Sequence, residues 1–508
     1  MPIMDRLSIL FCILQYFSAC VFAAVSYPDI PKDPSTPVQQ RIAIKGKNSI
    51  SVAWNTYQKL DKPCVSYGKS PKRLHSTQCS THSETYPTSR THFNVVILEN
   101  LKSGTTYYYK ILSTNSTTES FLSPREPGDT TPFSFNAVID LGVYGKDGFT
   151  LDQGSPSHHK RSALATVDPS LNHTTIARLH ETIDDYELVL HPGDFGYADD
   201  WFLKPKNILH GTNAYSAILE SFYNQLSPIT SRKPYMASPG NHEATCGEIP
   251  ALSLLCPEGQ RNFTDILIRF GATMPTAFPS SSKSPTAQAS AENASSLALP
   301  PFWYSFEYGS VHFTMLNTET DFPNAPDQPG GNQHLYAGPF GKTLDQQLKF
   351  LEADLASVDR SVTPWLVVSG HRPFYTTSSS SRCGYCQKAF EHLFYKYGVD
   401  LGVFGHVHNS QRFNPIYKNV PDENGLEGPK APLYIVAGGA GSIEGLSKMG
   451  KGYGSFEFGY DEDFSFAGID IKSEEKLGVR FLRSRSGEVL DEVELTKKRD
   501  GRFIRQEE

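Results

Sequence analysis

Five times along this chain an apolar run stops beside a glycine and delivers a side chain able to bind metal. The segments are "NAVIDLG" with Asp140, "ELVLHPGDFGY" with Asp194 and Tyr197, "MASPGNHE" with Asn241 and His242, "WLVVSGH" with His371, and "LGVFGHVH" with His406 and His408. Each apolar run reads as a buried strand. In open α/β sheets ligands bind beyond the carboxyl ends of the strands, where the strand fixes the backbone and the loop exposes the side chain. Gly142, Gly193, Gly240, Gly370 and Gly405 let the chain turn sharply there. Any one such segment is more often a plain turn than a ligand site. Their ordered recurrence is what constrains the fold. His406 and His408, two apart, are expected on one side of an extended chain.

Asp140, Asp194, Tyr197, Asn241, His371, His406 and His408 make seven donors. That is too many for one tetrahedral zinc site, and the sulfurs of a structural site are missing. Two metals sharing a carboxylate fit better, because two-metal hydrolytic sites hold their ions roughly 3.5–4 Å apart. Asp194, midway in the order, is the natural bridge.

A chain of 508 residues calls for two or three domains. With 38% hydrophobic and 20% charged residues it can bury a real core. A formal net charge of -7 argues against a broad nucleic-acid surface. Arg6 precedes an apolar run from Leu7 to Val25, and Val21-Phe22-Ala23 offers a cleavage site. Residues 1–23 therefore read as a secretory signal, with an uncleaved anchor as the alternative. No later stretch is apolar enough to span a membrane, so no stable membrane association is expected. Cys12 and Cys20 fall in the signal. The other six permit fifteen pairings, of which local closure favours Cys64–Cys79, Cys246–Cys256 and Cys383–Cys386. For "CGYC" a zinc or redox motif is the alternative to a plain disulfide. Asn115, Asn172, Asn262 and Asn293 each open an N-glycosylation triplet.

Residues 30–125 read as all-β: "NSISVAW" alternates Ile50, Val52 and Trp54 on one face, and Tyr107 and Tyr109 share a face of a later strand. The pattern is that of a fibronectin III-like sandwich serving as a packing or spacer module. From 132 to 495 strands alternate with helices, an α/β layer pattern. Helices are expected in "HTTIARLHETIDDY", in "AFEHLFYKYG" and in "KTLDQQLKFLEADLASV". The last carries Leu344, Leu348, Leu351 and Leu355 on one face, with Thr343 and Gln346 as a capping box. The Ser/Ala/Pro-rich segment 275–301 reads as an exposed, mobile insertion. "KLGVRFLRSRSGEVLDEVEL" reads as a hairpin returning to the catalytic sheet.

The set "DLG", "GDFGY", "GNHE", "VVSGH" and "GHVH", in this order, resembles the purple acid phosphatases of the binuclear metallophosphoesterase superfamily, in their large plant and fungal form. The tyrosine in "GDFGY" is the specific mark. The resemblance implies an α/β metallophosphoesterase sandwich, two mixed sheets flanked by helices, behind the all-β sandwich. It implies that Asp140, Tyr197 and His408 bind Fe(III), that Asn241, His371 and His406 bind a divalent zinc, iron or manganese, and that Asp194 bridges them. A tyrosinate on Fe(III) gives the family its colour. The implied reaction is hydrolysis of small phosphate monoesters by a metal-activated hydroxide, with His242 reaching the phosphate or protonating the leaving group. The leader, cysteines and glycosylation triplets make the expected setting secreted and extracellular, with retention at the cell surface or wall left open by the sequence.

One departure stands out. Plant members carry a histidine pair about nine residues after the ligand corresponding to His371; here "TTSSSSRC", residues 376–383, has none. Arg382 is then a phosphate-binding candidate, although a surface arginine beside a disulfide is the simpler reading. Glu243 reads as orienting its neighbours, His312 as structural, and His191 as packing or functional. "AGGAGSIEG" (437–445) lacks the Lys-Ser/Thr of a P-loop and reads as a turn near the site. Alternatives on the same scaffold are a phytase, a phosphodiesterase or a nucleotide pyrophosphatase. A non-catalytic binding protein is a third reading, disfavoured because all seven ligands are intact.

Overall fold

Alternating apolar residues build the N-terminal part as two antiparallel four-stranded sheets. One runs in the order Val38–Gly46, Ser49–Thr56, His92–Leu98, Ser83–Glu84; the other runs Ser76–Cys79, Cys64–Gly68, Thr106–Ile111, Thr118–Leu122. The computed structural model describes residues 27–144, 174–203, 207, 213–244, 256–326, 340–452 and 455–497. The leader, Cys12, Cys20, Cys246 and Asn172 lie outside them.

Ile50, Val52 and Trp54 are fully buried, as their alternation predicts. Ser51, Ala53 and Asn55, on the opposite face, are buried as well. That face packs on the catalytic part: Ser51 Oγ donates to the Thr273 carbonyl at 2.9 Å, and the Gln40 amide donates to Ser227 Oγ at 2.7 Å. Arg41 crosses the junction, donating to Asn55 Oδ1 and to the Arg269 carbonyl, both at 3.0 Å. Arg269 in turn pairs with Asp265 at 2.8 Å and lies 3.7 Å over the Tyr223 ring. Tyr86 OH from the sandwich donates to Asp265 at 2.9 Å. Buried charges survive only when paired and hydrogen-bonded, so this network fixes how the two parts meet. The sandwich is thus docked, not a loose spacer.

The catalytic part stacks two mixed sheets. The first, of six strands, runs Tyr235–Ser238, Leu188–Pro192, Phe133–Ala137, Ser465–Ile471, Lys476–Arg483, Val489–Thr496. Its last two strands are the predicted hairpin. The second, of seven strands, runs Tyr304–Tyr308, Val311–Met315, Trp365–Ser369, Leu401–Phe404, Leu433–Ala437, Ser410–Phe413, Phe456–Tyr460. Their inner faces interlock through aromatics, with Phe135 meeting Phe313 edge-on at 5.1 Å. The strands that carry the donor segments pair in parallel. Parallel strands are covered on both faces, which is why "WLVVS" and "LGVF" are apolar throughout.

Local structure departs from the sequence reading in two places. Segment 275–301 is not a mobile insertion: Pro285–Leu297 is a helix. Its buried Ala291 and Ala294 let it lie close to the helix Gln346–Ser357, and Gln346 Nε2 ties the two by donating to the Leu297 carbonyl at 2.8 Å. The expected capping box is absent. The helix starts at Gln346 behind Asp345; Thr343 donates to Asp345 instead, and Leu344 is exposed ahead of the first turn. The other two predicted helices form as Thr175–Glu181 and Gly384–Tyr397.

Cys64 and Cys79 face each other across an antiparallel pair and are bonded, as are Cys383 and Cys386 at the start of a helix. Cys256 is also in a disulfide. Asn115, Asn262 and Asn293 are exposed. Among the described residues no helix is long and apolar enough to cross a membrane.

His312 proves structural. Its Nε2 sits 3.1 Å from Asp354 and its Nδ1 3.5 Å from Glu307, all three buried. Burial alone would lower its pKa; the two carboxylates outweigh that and raise it to about 9. A pKa raised by folding adds stability that is complete below the unfolded value of about 6.5 and is lost as pH climbs through about 9. The shift corresponds to about 3 kcal/mol. Denaturant unfolding of wild type and His312→Gln should therefore show a gap that is wide at pH 6 and shrinks by roughly that amount at pH 10. A gap independent of pH would contradict the assignment.

Candidate metal centre

The two sheets bring their strand ends to one rim. From the first sheet, Asp140 follows Phe133–Ala137, Asp194 and Tyr197 follow Leu188–Pro192, and Asn241 and His242 follow Tyr235–Ser238. From the second, His371 follows Trp365–Ser369, and His406 and His408 follow Leu401–Phe404. Asp140, Asp194, Tyr197 and His406 all have left-handed backbone, with φ of 61°, 62°, 52° and 67°. For residues with a Cβ this costs about 1–2 kcal/mol each, and such strain gathers at functional sites. The turn at His406 also changes the expected geometry. The chain is not extended there, and the two histidines diverge.

Two donor sets result. In one, ligand atoms of Asp194, His371 and His406 lie within 4.8 Å of one another, and in the other those of Asp140, Asp194 and His408 do. Asn241 Oδ1 joins the first, 2.8 Å from His371 Nε2 and 2.7 Å from His406 Nδ1. Tyr197 OH joins the second, 2.8 Å from His408 Nε2 and 3.1 Å from Asp140 Oδ1. Asp194 belongs to both. Space for the carboxylates is made by glycine: a Cβ at Gly240 would lie 2.3 Å from Asp194 Oδ1, and one at Gly405 2.5 Å from Asp140 Oδ2.

The histidines are oriented as ligands are. His371 Nδ1 faces the Pro192 carbonyl and His408 Nδ1 the Gly445 carbonyl, each at 3.1 Å. A ring nitrogen that donates to a carbonyl leaves the opposite nitrogen as the lone pair, and both Nε2 atoms point at the donor sets. Gly445 comes from the glycine-rich stretch 437–445, which is therefore a wall of the site.

Comparison with known proteins agrees with this geometry. Residues 37–126 match a family model described as purple acid phosphatase, N-terminal domain; 168–410 match calcineurin-like phosphoesterase; 431–492 match iron/zinc purple acid phosphatase-like protein C. Acid phosphatase A of Cryphonectria parasitica is 58% identical over 97% of this chain and 98% of its own length. The chain belongs to the purple acid phosphatases. An acid phosphatase of Aspergillus ficuum is 28% identical over 86% of this chain and 82% of its own. The purple acid phosphatase of yellow lupin (Lupinus luteus) seeds has the same fold, with a TM-score of 0.64 at 22% identity over 92% of this chain and 76% of that one.

The protein is accordingly a phosphoesterase of the acid phosphatase kind, and membership of the purple acid phosphatases implies a binuclear metal centre. Its charges suit one. Burial pushes the Asp140 carboxyl well above the usual range, with Asp194 adding to the effect. Burial also opposes ionisation of Asp194, but His371 and His242 outweigh it and hold this carboxyl well below the usual range. Burial and the two aspartates push the Tyr197 phenol far up. Asp140 and Tyr197, 0–1% exposed and pushed toward their neutral forms, need cations beside them to be anionic, whereas Asp194 already has the two histidines.

Supporting residues complete the purple acid phosphatase site. Glu243 accepts the backbone amides of Asp194, Phe195 and Gly240, each at 2.8 Å, and so orients backbone more than side chains. Its burial, with Asp194 close by, lifts it to about 7. His242 donates its amide to Asp194 Oδ1 at 3.0 Å, and its Nδ1 lies 2.8 Å from Asp199. His191 packs on Phe195 at 4.4 Å, and burial lowers its pKa to about 3, so it is a neutral packing residue. Arg382 donates to the Phe374 carbonyl at 3.0 Å and to Asn419 at 2.8 Å, in keeping with the structural reading. The sequence reading missed Asp199, Glu319 and Arg372. Asp199 lies two residues past Tyr197 and Arg372 directly follows His371, so position beside a donor was the available signal.

Replacing Glu243 with alanine leaves three buried amides without their acceptor and frees the loop carrying Asp194. Loss of support of this kind costs about 10–100-fold in metal affinity. Chelator competition on Glu243→Ala and wild type should read that drop while circular dichroism stays unchanged; equal affinities would refute the role.

Proposed function

We propose that Asp140, Tyr197 and His408 hold a ferric ion, that Asn241, His371 and His406 hold a divalent zinc, iron or manganese, and that Asp194 joins both. The observation that carries this is Asp194, whose carboxylate lies within both donor sets. Tyr197 assigns the hard ion to its own side, since a phenolate favours a trivalent metal. Such a pair of cations neutralises phosphate oxygens and lowers the pKa of water for attack on phosphorus. The chain's own part is to bind the ester at the rim, hold its phosphorus in line with the attacking oxygen, and supply a proton to the leaving alkoxide.

His242 is the group placed for that last step. Its Nδ1 is engaged by Asp199, and its Nε2 lies 3.9 Å from Asp194 Oδ2, beside the shared carboxylate. The loop 376–383 offers no histidine, and Arg382 is engaged elsewhere. Among the described residues, His242 is therefore the group we assign as proton donor. The leader at 1–23, the cysteine usage and the exposed Asn115, Asn262 and Asn293 support a secreted, N-glycosylated enzyme acting on small phosphorylated substrates.

The deciding experiment is a visible spectrum with metal analysis on one sample. Two metals per chain including iron, and a violet band that disappears in Tyr197→Phe, are expected. A colourless protein whose two metals exclude iron would remove the ferric assignment. His242→Ala should slow hydrolysis of an alkyl phosphate by about 10²–10⁴-fold, the usual worth of a general acid. It should slow p-nitrophenyl phosphate much less, because that leaving group needs no proton. Equal losses on both esters would exclude the proton-donor role.

A further inference from the structure

Tyr215 and Tyr223 lie on the helix Asn213–Thr230, eight residues and just over two turns apart. Both border a cavity of about 10 Å³, whose lining also includes Glu243, Asp265 and Phe195. That volume is about the room one water molecule needs. The two phenols and the two carboxylates are all buried. His242 borders the cavity too, with its Nδ1 engaged by Asp199. Apolar cavities of this size stay dry, whereas a water is retained where two to four polar partners converge.

The hydrogen-bond count is specific. Among the described residues neither the Tyr215 nor the Tyr223 hydroxyl has a hydrogen-bond partner. Burial raises both phenols far above their usual range. Asp265 and Glu243 raise them further, against a lowering by Arg269 at Tyr223. Both therefore keep their protons and can donate. A carboxylate offers about four acceptor positions. Glu243 uses two on Oε2, for the amides of Asp194 and Gly240, and one on Oε1, for that of Phe195. Asp265 uses two on Oδ2, for Tyr86 and Arg269, and one on Oδ1, for Arg269. Two donors and two acceptor positions thus remain around one cavity, and an unmatched buried hydroxyl costs about 1–3 kcal/mol.

We infer that one resident water fills this cavity, accepting from Tyr215 and Tyr223 and donating to Glu243 and Asp265, and that through it the two tyrosines position the metal centre. Four bonds, two in each direction, are the full complement of a water molecule. The water holds the Glu243 carboxylate, which holds the backbone of Asp194, Phe195 and Gly240. Tyr86 reaches Asp265 from the N-terminal sandwich, so the same water closes a hydrogen-bonded line from that part to the loop carrying Asp194. The water stands without the metals; its effect on them rests on the metal assignment above.

The test uses the full-length holoenzyme as wild type, Tyr215→Phe and Tyr223→Phe, each also combined with Glu243→Ala. A high-resolution crystal structure of the wild type should show one water within hydrogen-bond distance of all four groups. A dry cavity, or a water bonded to neither tyrosine, overturns the inference. Chelator competition should then read a loss of metal affinity of about 3–10-fold in each Tyr→Phe variant, the worth of one hydrogen bond. With Glu243 already replaced by alanine, the same changes should cost no further affinity, because the carboxylate they act on is gone. Tyrosines that merely pack would leave metal affinity unchanged, or lower it equally in both backgrounds; either result overturns the positioning role. A wild type without two metals refutes the metal assignment itself, and the crystal structure still decides the water.

Discussion

Everything at the rim turns on one buried carboxylate. Asp194 is fully buried, sits in left-handed backbone, and lies within reach of both donor sets. A carboxylate in such a place is stable only if surrounding groups favour its charge. His371 at 3.1 Å and the amide of His242 at 3.0 Å do so from two directions. Its backbone is pinned by Glu243, which also holds Gly240. The loops after two neighbouring strands are thereby locked to each other, and the second sheet supplies the opposite wall. Neither sheet alone contains either complete donor set.

That requirement explains the packing behind the rim. Two sheets must present their strand ends in register to within fractions of an ångström, so the layers between them cannot shift. The inner faces are filled with aromatics, and His312 between Asp354 and Glu307 adds a buried polar lock to the second sheet. The N-terminal sandwich contributes from outside. Arg41, Arg269, Asp265 and Tyr86 form one buried network across the junction. Arg269 stacks on Tyr223, and Tyr223 in turn packs near Phe195, the residue that follows Asp194. The sandwich and the metal centre are thus joined through contiguous packed side chains.

The sequence was most legible where one rule acted locally. A buried parallel strand, a glycine and a candidate donor are consecutive in the chain, so the seven candidate positions and the α/β layering show as pattern, while the division into two mixed sheets came only with the family resemblance. The hairpin 476–496 was visible for the same reason. Legibility failed where partners are distant. Nothing local tells that Glu319 holds Arg372, 53 residues away, or that the outer face of Ser49–Thr56 is covered by the catalytic part. Composition also misled: serine and alanine in 285–297 resemble a linker, yet small side chains are what a close helix–helix contact needs. His406 shows a subtler limit. Spacing of two implies a shared side only on an extended chain, and a left-handed turn sent the two rings to different donor sets.

The same turn has a chemical consequence. Because His406 and His408 offer opposite ring nitrogens, their outward edges differ: His408 Nδ1 meets a carbonyl, whereas His406 Nε2 meets a guanidinium. A carbonyl completes a histidine ligand and ends the network there. A guanidinium extends it, because Arg372 passes the contact on to the buried Glu319. The site is therefore asymmetric in its surroundings as well as in its donors.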